Sequence, residues 1–202
     1  MIAILDYGSG NLRSAQRAFS RSGEEVILTS DRSACMEAEG LVVPGVGAFQ
    51  SCMNGLKSVG GDQIIRERVA KQRPTLGICI GMQIFFSEGL EPSRDISGST
   101  PGVGMWAGSV SRIAARVLPH MGWNTVLPSP GTELFRGIEG ESFYFVHSYA
   151  AKESVGKFPS WSEYGERFLS AVEDGALSAT QFHPEKSGKA GLALINNWIR
   201  TL

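Results

Sequence analysis

The chain has 202 residues, of which 42% are hydrophobic and 19% charged, and its 19 basic and 20 acidic side chains give a net charge of -1. This composition is typical of a globular protein and argues against a disordered chain. No apolar run approaches the roughly 20 residues of a membrane span. No basic block indicates binding of nucleic acid by broad phosphate neutralisation. The length predicts one domain over residues 1–202.

The cysteines and the N-terminus bear on the compartment. The chain has an odd number of cysteines, and no two of them have C-x-x-C spacing: Cys35, Cys52 and Cys79. This argues against a disulfide framework and a zinc site. Residues 1–7 have neither a basic region nor a long apolar segment, so they predict a first strand instead of a secretory signal. Both features predict a reducing, cytoplasmic location.

The first half of the chain alternates strand and helix patterns. Short apolar runs predict strands at residues 2–5, 26–28, 41–43 and 75–78. Helical spacing of apolar residues lies between several of these runs. Strands that alternate with helices indicate an α/β fold with a mixed, mainly parallel central sheet flanked by helices. We expect the third strand to stop at Pro44 and a helix to cover Met82–Ser87.

The second half is richer in turn residues. Gly98–Gly108 is rich in Gly, Ser and Pro. The short runs that follow predict antiparallel strands added to the same sheet, at residues 110–113, 123–126 and 143–146. A last strand at 178–182 and a helix with Leu192, Ile195 and Ile199 on one face complete the predicted domain.

Residues 77–81, with the sequence Gly-Ile-Cys-Ile-Gly, supply a candidate nucleophile. They lie between a predicted strand and a predicted helix, which is the setting of a nucleophile elbow. Cys79 would lie at a helix N-terminus, where the dipole favours a thiolate, and the Ile80 N–H could bind an oxyanion. The alternative is a buried structural cysteine between two packing glycines, and that role is favoured for Cys35 and Cys52.

A thiolate nucleophile normally works with a histidine. His183 precedes Pro184 and Glu185, and an extended backbone would point His183 and Glu185 the same way, so that the carboxylate can orient the imidazole. A capped turn is the alternative for this segment. His147 lies in an aromatic strand and is expected to be satisfied within the fold, while His120 has no carboxylate nearby in the sequence.

The loop Pro44–Gly47, Pro-Gly-Val-Gly, follows a predicted parallel strand. Ligands of open α/β sheets bind at the carboxyl ends of such strands, and this loop could supply backbone N–H groups to a tetrahedral intermediate. A phosphate site is a competing interpretation, although the rest of a phosphate-binding fingerprint is missing. A tight turn is the purely structural alternative.

Together these segments resemble the class I glutamine amidotransferases. Residues 77–83, GICIGMQ, look like the nucleophile motif of that family, and 183–185 look like its histidine and glutamate. Further stretches resemble the family of glutaminase subunits of imidazole glycerol phosphate synthase, in histidine biosynthesis: DYGSGNL at 6–12, PGVGAF at 44–49, PHMGWN at 119–124, FVHSY at 145–149 and HPEKSG at 183–188. They follow the order of the family and cover nearly the whole chain. Ile80 departs from the more frequent leucine, but only its backbone N–H is needed.

The resemblance implies a mechanism. Cys79 attacks the side-chain carboxamide of glutamine, and the N–H groups of Ile80 and Val46 stabilise the oxyanion. His183, oriented by Glu185, takes the thiol proton and later protonates the departing ammonia. Water then hydrolyses the thioester to glutamate, and no cofactor or metal is implied. The residues expected to bind glutamine are Gly47, Gln83, Ser148 and Tyr149.

The resemblance also implies a partner, a (β/α)8-barrel cyclase subunit that forms a heterodimer with this chain. Ammonia passes into the barrel and reacts with a phosphoribulosyl-formimino carboxamide ribonucleotide, giving imidazole glycerol phosphate and an aminoimidazole carboxamide ribotide. Asn11, Met121, Trp123 and Lys186 match positions near that interface. Their ordinary roles would be a helix cap for Asn11, core packing for Trp123 and solvated surface for Lys186.

A hypothesis about regulation follows from the resemblance. Members of the family have low glutaminase activity alone and are activated by nucleotide bound in the partner. The candidate switch is the loop Pro44–Gly47, because glycines let a peptide plane turn over at low cost. An oxyanion N–H that points away would disable Cys79 without moving it.

Three alternatives stay open. The chain could be the glutaminase subunit of another amidotransferase, such as anthranilate or aminodeoxychorismate synthase, although residues 119–124 and Lys186 disfavour this. It could be a non-catalytic binding subunit of the same fold, although Cys79, His183 and Glu185 are intact. It could also be a stand-alone cysteine hydrolase of related fold, which activity without any partner would favour.

Overall fold

The computed structural model describes residues 1–92 and 98–202. Seven strands form the main sheet; in spatial order they are β11 (Phe158–Tyr164), β12 (Glu166–Asp174), β13 (Leu177–Thr180), β4 (Thr75–Cys79), β3 (Gly40–Gly45), β1 (Ile2–Leu5) and β2 (Val26–Thr29). The five strands from β13 to β2 pair in parallel, and β11 and β12 form an antiparallel edge. The predicted mixed, mainly parallel sheet is confirmed.

Helices flank this sheet: α1 (Leu12–Ser20), α2 (Arg32–Glu37), α3 (Phe49–Ser58), α4 (Gly61–Ala70), α5 (Ile80–Gln83) and α6 (Gly188–Ile199). Strands β1, β3 and β4 are buried along their whole length, as expected for parallel strands covered on both faces. Asn11 caps α1, because its side-chain oxygen accepts a hydrogen bond from Ser14 N. In the described residues, no helix is long and apolar enough to cross a membrane.

The strands predicted in the second half exist, but they do not join the main sheet. A four-stranded sheet has the order β10 (Tyr149–Ala151), β7 (Trp106–Arg112), β5 (Phe86–Gly89) and β6 (Thr100–Pro101). A separate antiparallel pair consists of β8 (His120–Thr125) and β9 (Ser142–His147). The antiparallel edge of the main sheet comes instead from β11 and β12, further along the chain.

The predicted helix over Met82–Ser87 is wrong, since α5 ends at Gln83 and β5 begins at Phe86. Phe85 and Phe86 are fully buried. Their rings lie 5.9 and 5.6 Å from the ring of Trp106, on β7. The packing of these rings within the four-stranded sheet therefore overrides the local helical pattern.

Strand β3 continues through Pro44 and Gly45 instead of stopping there. Leu41 N bonds Pro74 O on the β4 side. Backbone nitrogens alternate between the two sides of a strand, so the nitrogen of Pro44 faces the β1 side. The last residue pair between β1 and β3 is Ile4 with Val42, so Pro44 lies beyond it. No ladder hydrogen bond is lost there, so proline is tolerated.

The C-terminal elements differ from the prediction in detail. Strand β13 ends at Thr180, two residues earlier than expected. Helix α6 buries Ile195 as predicted, but Leu194 and Trp198 occupy the centre of its buried face. Leu192 and Ile199 are only half-buried beside them.

Candidate active site

Cys79 lies in a strained turn between β4 and α5, with φ 57° and ψ -113°. A Cβ atom at Gly77 would lie 2.6 Å from Gly81 O, and one at Gly81 would lie 1.8 Å from Val43 O. Side chains at both positions would collide with backbone, so this turn requires glycine on either side of the cysteine. A positive φ at a residue other than glycine costs energy and is typical of nucleophile elbows.

The helix after Cys79 is shorter than expected. It has four residues, Ile80–Gln83, so it presents the dipole of a single turn to the sulfur. Ile80 is its first residue and has no intrahelical acceptor for its N–H. The Ile80 N–H is therefore placed to bind an oxyanion formed beside Cys79.

His183 and Glu185 form a buried pair near this turn. His183 Nδ1 lies 2.8 Å from Glu185 Oε1, and their side chains are 3% and 4% exposed. His183 is extended, with φ -101° and ψ 95°, and a short 3-10 helix over Pro184–Lys186 brings the carboxylate back to the ring. Because a carboxylate accepts, Nδ1 carries a hydrogen, and Nε2 is left for another group.

The protonation of His183 depends on both neighbours. Burial by itself lowers the pKa of His183, but the interactions with the neighbouring Cys79 and Glu185 outweigh burial and raise that pKa to about 10. His183 Nε2 is buried and has no hydrogen-bond partner among the described residues. The geometry and the raised pKa favour an imidazolium facing the sulfur of Cys79.

A pocket of about 280 Å³ opens at Cys79. Its lining residues are Val46, Gly47, Cys79, Ile80, Gln83, Glu91, Val146, His147, Ser148, Tyr149, His183 and Lys186. The pocket thus brings together the predicted nucleophile, histidine, oxyanion and glutamine-binding positions, with Glu185 behind the histidine. Within residues 1–92 and 98–202, no group of three or more His, Cys, Asp and Glu side chains could hold a metal ion.

Glu91 is a pocket residue that the sequence analysis missed. Its Oε2 accepts a hydrogen bond from Phe49 N at 2.8 Å, at the start of α3. It is the one Asp or Glu among the pocket-lining residues that the structure describes. No motif marks this position, and its approach to the pocket depends on the path of β5, which was predicted as helix.

The predicted oxyanion loop is held by residues that follow β1. Val46 N donates to Ser9 Oγ at 3.1 Å, and Ser9 Oγ donates to Val46 O at 2.9 Å. Tyr7 OH bonds Pro44 O, and Cys52 Sγ lies 3.1 Å from Ser9 Oγ. The Val46 N–H is therefore engaged away from Cys79 in this conformation.

His120 and His147 bond each other between β8 and β9, with His120 Nδ1 and His147 Nε2 3.0 Å apart. His147 Nδ1 must donate to Tyr149 O, 3.0 Å away, because a carbonyl only accepts. His120 Nδ1 therefore donates to His147 Nε2, and Asn124 Nδ2 donates to His120 Nε2. Burial lowers the pKa of His120 to about 4 and of His147 to about 3, so both rings are neutral.

The predicted interface residues lie outside the triad. Met121 and Trp123, alternate residues of β8, are 62% and 60% exposed, so the core-packing alternative for Trp123 is wrong. Trp123 packs edge to face on Tyr144 with ring centroids 6.2 Å apart, and Lys186 Nζ lies 5.9 Å from the same ring. Asn11 is the helix cap described above.

Comparisons with known proteins give a consistent result. Residues 3–201 match the family model described as "Glutamine amidotransferase class-I". The chain is 57% identical to "Imidazole glycerol phosphate synthase subunit HisH" of Mycolicibacterium paratuberculosis, over 100% of this chain and 98% of that protein. It is 53% identical to the protein of the same name from Corynebacterium efficiens, over 98% and 97%.

Solved structures share the fold at low sequence identity. "Crystal structure of glutamine amidotransferase" has a TM-score of 0.74 at 18% identity and covers 98% of this chain and 97% of that chain. "Structure of PurLQS from Thermotoga maritima" has a TM-score of 0.69 at 16% identity, with coverage of 99% and 97%.

Proposed function

Because the chain belongs to the class-I glutamine amidotransferase family, we propose that it hydrolyses glutamine to glutamate and ammonia with a triad of Cys79, His183 and Glu185. In this proposal residues 1–202 act as one amidotransferase domain. The observation that carries it is the strained turn at Cys79, which holds the sulfur in one pocket with the buried pair of His183 and Glu185.

The reaction proceeds in two balanced steps. The Cys79 thiolate adds to the carboxamide carbon of glutamine, and His183 gives its proton to the nitrogen as the C–N bond breaks and ammonia leaves. In the second step His183 takes a proton from water, the hydroxide adds to the thioester carbon, and sulfur leaves as thiolate. The Ile80 N–H stabilises both oxyanions, joined by the Val46 N–H once it leaves Ser9.

The pocket also fits the other end of the substrate. Free glutamine carries an ammonium and a carboxylate on its α-carbon, and Glu91 supplies a carboxylate to pair with the ammonium. Gly47, Ser148 and Tyr149 line the pocket and provide backbone polar groups for the carboxylate end. Gln83 Nε2 donates its two hydrogens to Tyr149 O and Gln181 Oε1, so Gln83 Oε1 is the atom left to bind glutamine.

We further propose that the ammonia is used by a partner. The relatives at 51–57% identity are named as subunits of imidazole glycerol phosphate synthase. By this analogy the chain forms a cytoplasmic heterodimer with a (β/α)8-barrel cyclase, the lyase component, and channels ammonia into it. Met121 and Trp123 support this proposal, because they expose apolar surface that continues through Tyr144 and Lys186 to the pocket.

The test is glutamate release from glutamine by the purified chain, alone and with the barrel cyclase and its nucleotide. Cys79→Ala is the inactive variant, and Cys35→Ala is the matched control, since Cys35 is a buried cysteine of α2 that lines no part of the pocket. The proposal predicts strong stimulation by partner and nucleotide that Cys79→Ala abolishes and Cys35→Ala preserves.

Other outcomes separate the alternatives. Equal activity with and without the cyclase would keep hydrolysis at Cys79 and remove both the pathway assignment and the loop switch. The absence of activity in both samples would support a non-catalytic subunit.

A further inference from the structure

Gln181 is a buried polar residue beside the nucleophile that the proposed mechanism does not use. It follows β13, lies two residues before His183 and is fully buried. Its Nε2 lies 3.8 Å from Cys79 Sγ, within hydrogen-bond distance for a sulfur acceptor. Its backbone N donates to Ser170 O at 2.8 Å, which fixes the residue on the sheet.

The hydrogen-bond network fixes which end of the Gln181 amide faces the sulfur. Tyr149 O, a carbonyl, accepts from Gln83 at 2.8 Å, so the atom of Gln83 at that place is the nitrogen. The same nitrogen donates its second hydrogen to the side chain of Gln181, 2.9 Å away. The Gln181 atom at that position must therefore be the acceptor, Oε1. The NH2 group of Gln181 is thereby turned to Cys79.

The surroundings of the sulfur show what this donor does. Val146 O lies 4.0 Å from Cys79 Sγ and suits a thiol that donates its hydrogen, but it repels a thiolate. His183 Nε2 makes no hydrogen bond with any described residue. In this conformation, within residues 1–92 and 98–202, Gln181 Nε2 is thus the group that donates to the sulfur. A donor stabilises the anion more than the neutral thiol.

We propose that Gln181 is a further catalytic residue, which donates a hydrogen bond to Cys79 Sγ and stabilises its thiolate, and that Gln83 is the positioning residue that holds the Gln181 amide in this orientation. The proposal rests on the proposed function. Gln181 transfers no proton, because the thiol proton goes to His183. The same amide donates its hydrogen bond again when the sulfur leaves the thioester as a thiolate.

The experiment is the rate of alkylation of Cys79 by iodoacetamide as a function of pH, measured on the full chain by peptide mass spectrometry. The midpoint is compared between variants because other titratable groups surround the sulfur. They line the pocket, interact with Cys79 or, for Glu185, lie behind the histidine: His183, Glu185, His147, Tyr7, Cys52, Glu91 and Lys186. Gln181→Met removes the donor and keeps the length of the side chain. Gln16→Met is the matched control, because Gln16 Nε2 bonds Val26 O outside the pocket.

We expect Gln181→Met to raise the midpoint by about one pH unit, a roughly tenfold loss of thiolate at lower pH. Gln16→Met leaves it unchanged. The acid limb of kcat/KM for glutamine in the complex shifts in the same direction. An unchanged midpoint in Gln181→Met would overturn this inference and leave the proposed function standing. Glutamate release that Cys79→Ala leaves intact would overturn the proposed function and this inference with it.

A second variant covers the case in which Gln181→Met does not fold, as judged by thermal unfolding. Gln83→Met releases the Gln181 amide without removing it. This variant is predicted to raise the midpoint by a smaller amount than Gln181→Met. The rate of alkylation by iodoacetamide does not depend on the proposed role of Gln83 in binding glutamine. A midpoint equal to wild type in folded Gln83→Met would contradict the positioning role.

Discussion

Ser9 Oγ accepts the N–H of Val46 at 3.1 Å and donates to its carbonyl oxygen at 2.9 Å. Both polar backbone groups of Val46 are therefore engaged by one side chain. Since the Val46 N–H is a proposed oxyanion donor, the structure supplies a specific contact for the hypothesis that the loop Pro44–Gly47 controls activity. Cys52 Sγ, 3.1 Å from Ser9 Oγ, supports the hydroxyl from α3.

Ser9→Ala is predicted to increase glutamate release by the isolated chain. Each of the two hydrogen bonds between Ser9 and Val46 contributes about 0.5–1.5 kcal/mol net, so their loss shifts the loop population toward the released state by at least roughly 2- to 10-fold. Ser58→Ala is the control, because Ser58 Oγ bonds Gly55 O within α3. Activity of Ser9→Ala at or below the wild-type level would show that Ser9 does not hold the loop in a resting state.

The elements that fix the nucleophile could be predicted from local sequence. The glycines at 77 and 81 reflect a steric demand of the turn itself, since a Cβ at Gly81 would lie 1.8 Å from Val43 O. His183 and Glu185 are two residues apart, so their pairing at 2.8 Å is also a local consequence of backbone geometry.

The features that were missed depend on contacts between distant parts of the chain. Gln181 reaches Cys79 across 102 residues of sequence. Glu91 enters the pocket because Phe86 begins β5, which pairs with β7 and β6 in the four-stranded sheet. No periodicity or short motif encodes such contacts, so local patterns could not place these two side chains.

Trp123→Ala is predicted to weaken binding of the barrel cyclase. An exposed tryptophan at an interface centre contributes about 2 kcal/mol, which corresponds to a roughly 30-fold higher Kd. Titration calorimetry with the cyclase measures this change. Leu202→Ala is the control, since Leu202 is exposed and contacts Gly40 at the start of β3, opposite the pocket. Equal Kd values for the two variants would exclude Trp123 from the interface.

Glu185→Gln is predicted to reduce kcat for glutamine on the order of 10²-fold with little change in KM. The carboxylate of Glu185 helps raise the pKa of His183 to about 10, so the neutral amide lets that pKa fall, and it can also orient the wrong tautomer of the ring. Steady-state kinetics of the complex and histidine NMR titration measure both effects. Glu141→Gln, at an exposed position, is the control. An unchanged kcat in Glu185→Gln would remove Glu185 from the triad.

His120→Gln is predicted to flatten the acid side of the stability profile. Burial holds the pKa of His120 at about 4 and that of His147 at about 3, below the value of about 6.5 in an unfolded chain. Their contribution to stability is therefore present above pH 6.5 and is lost as the pH falls from about 6.5 toward those values, because the unfolded chain binds protons first. Urea unfolding at a series of pH values measures the loss. An acid loss in His120→Gln equal to that of wild type would contradict the neutral pair.

Arg68→Met is predicted to destabilise the fold by about 1–3 kcal/mol, the cost of leaving buried neutral acceptors short of a donor. The buried guanidinium of Arg68 donates to Thr75 Oγ1 and to four backbone carbonyls, those of Cys35, Ala38, Glu39 and Pro74. A methionine removes these donors, and among the described residues Pro74 O keeps only its hydrogen bond from Leu41 N. Urea unfolding measures the change, with Arg66→Met on the exposed side of α4 as control. A difference between the two variants below about 1 kcal/mol would show that the carbonyls find other partners.

The most direct test of the central claim is covalent trapping with an electrophilic glutamine analogue that carries a diazoketone in place of the carboxamide. The chain, in complex with the barrel cyclase, is incubated with the analogue and mapped by peptide mass spectrometry. The account predicts one adduct, on Cys79, and protection by excess glutamine. An adduct on Cys52, whose Sγ bonds Val46 O, or labelling of Cys79 that glutamine does not slow, would contradict the assignment of Cys79 as the glutamine nucleophile.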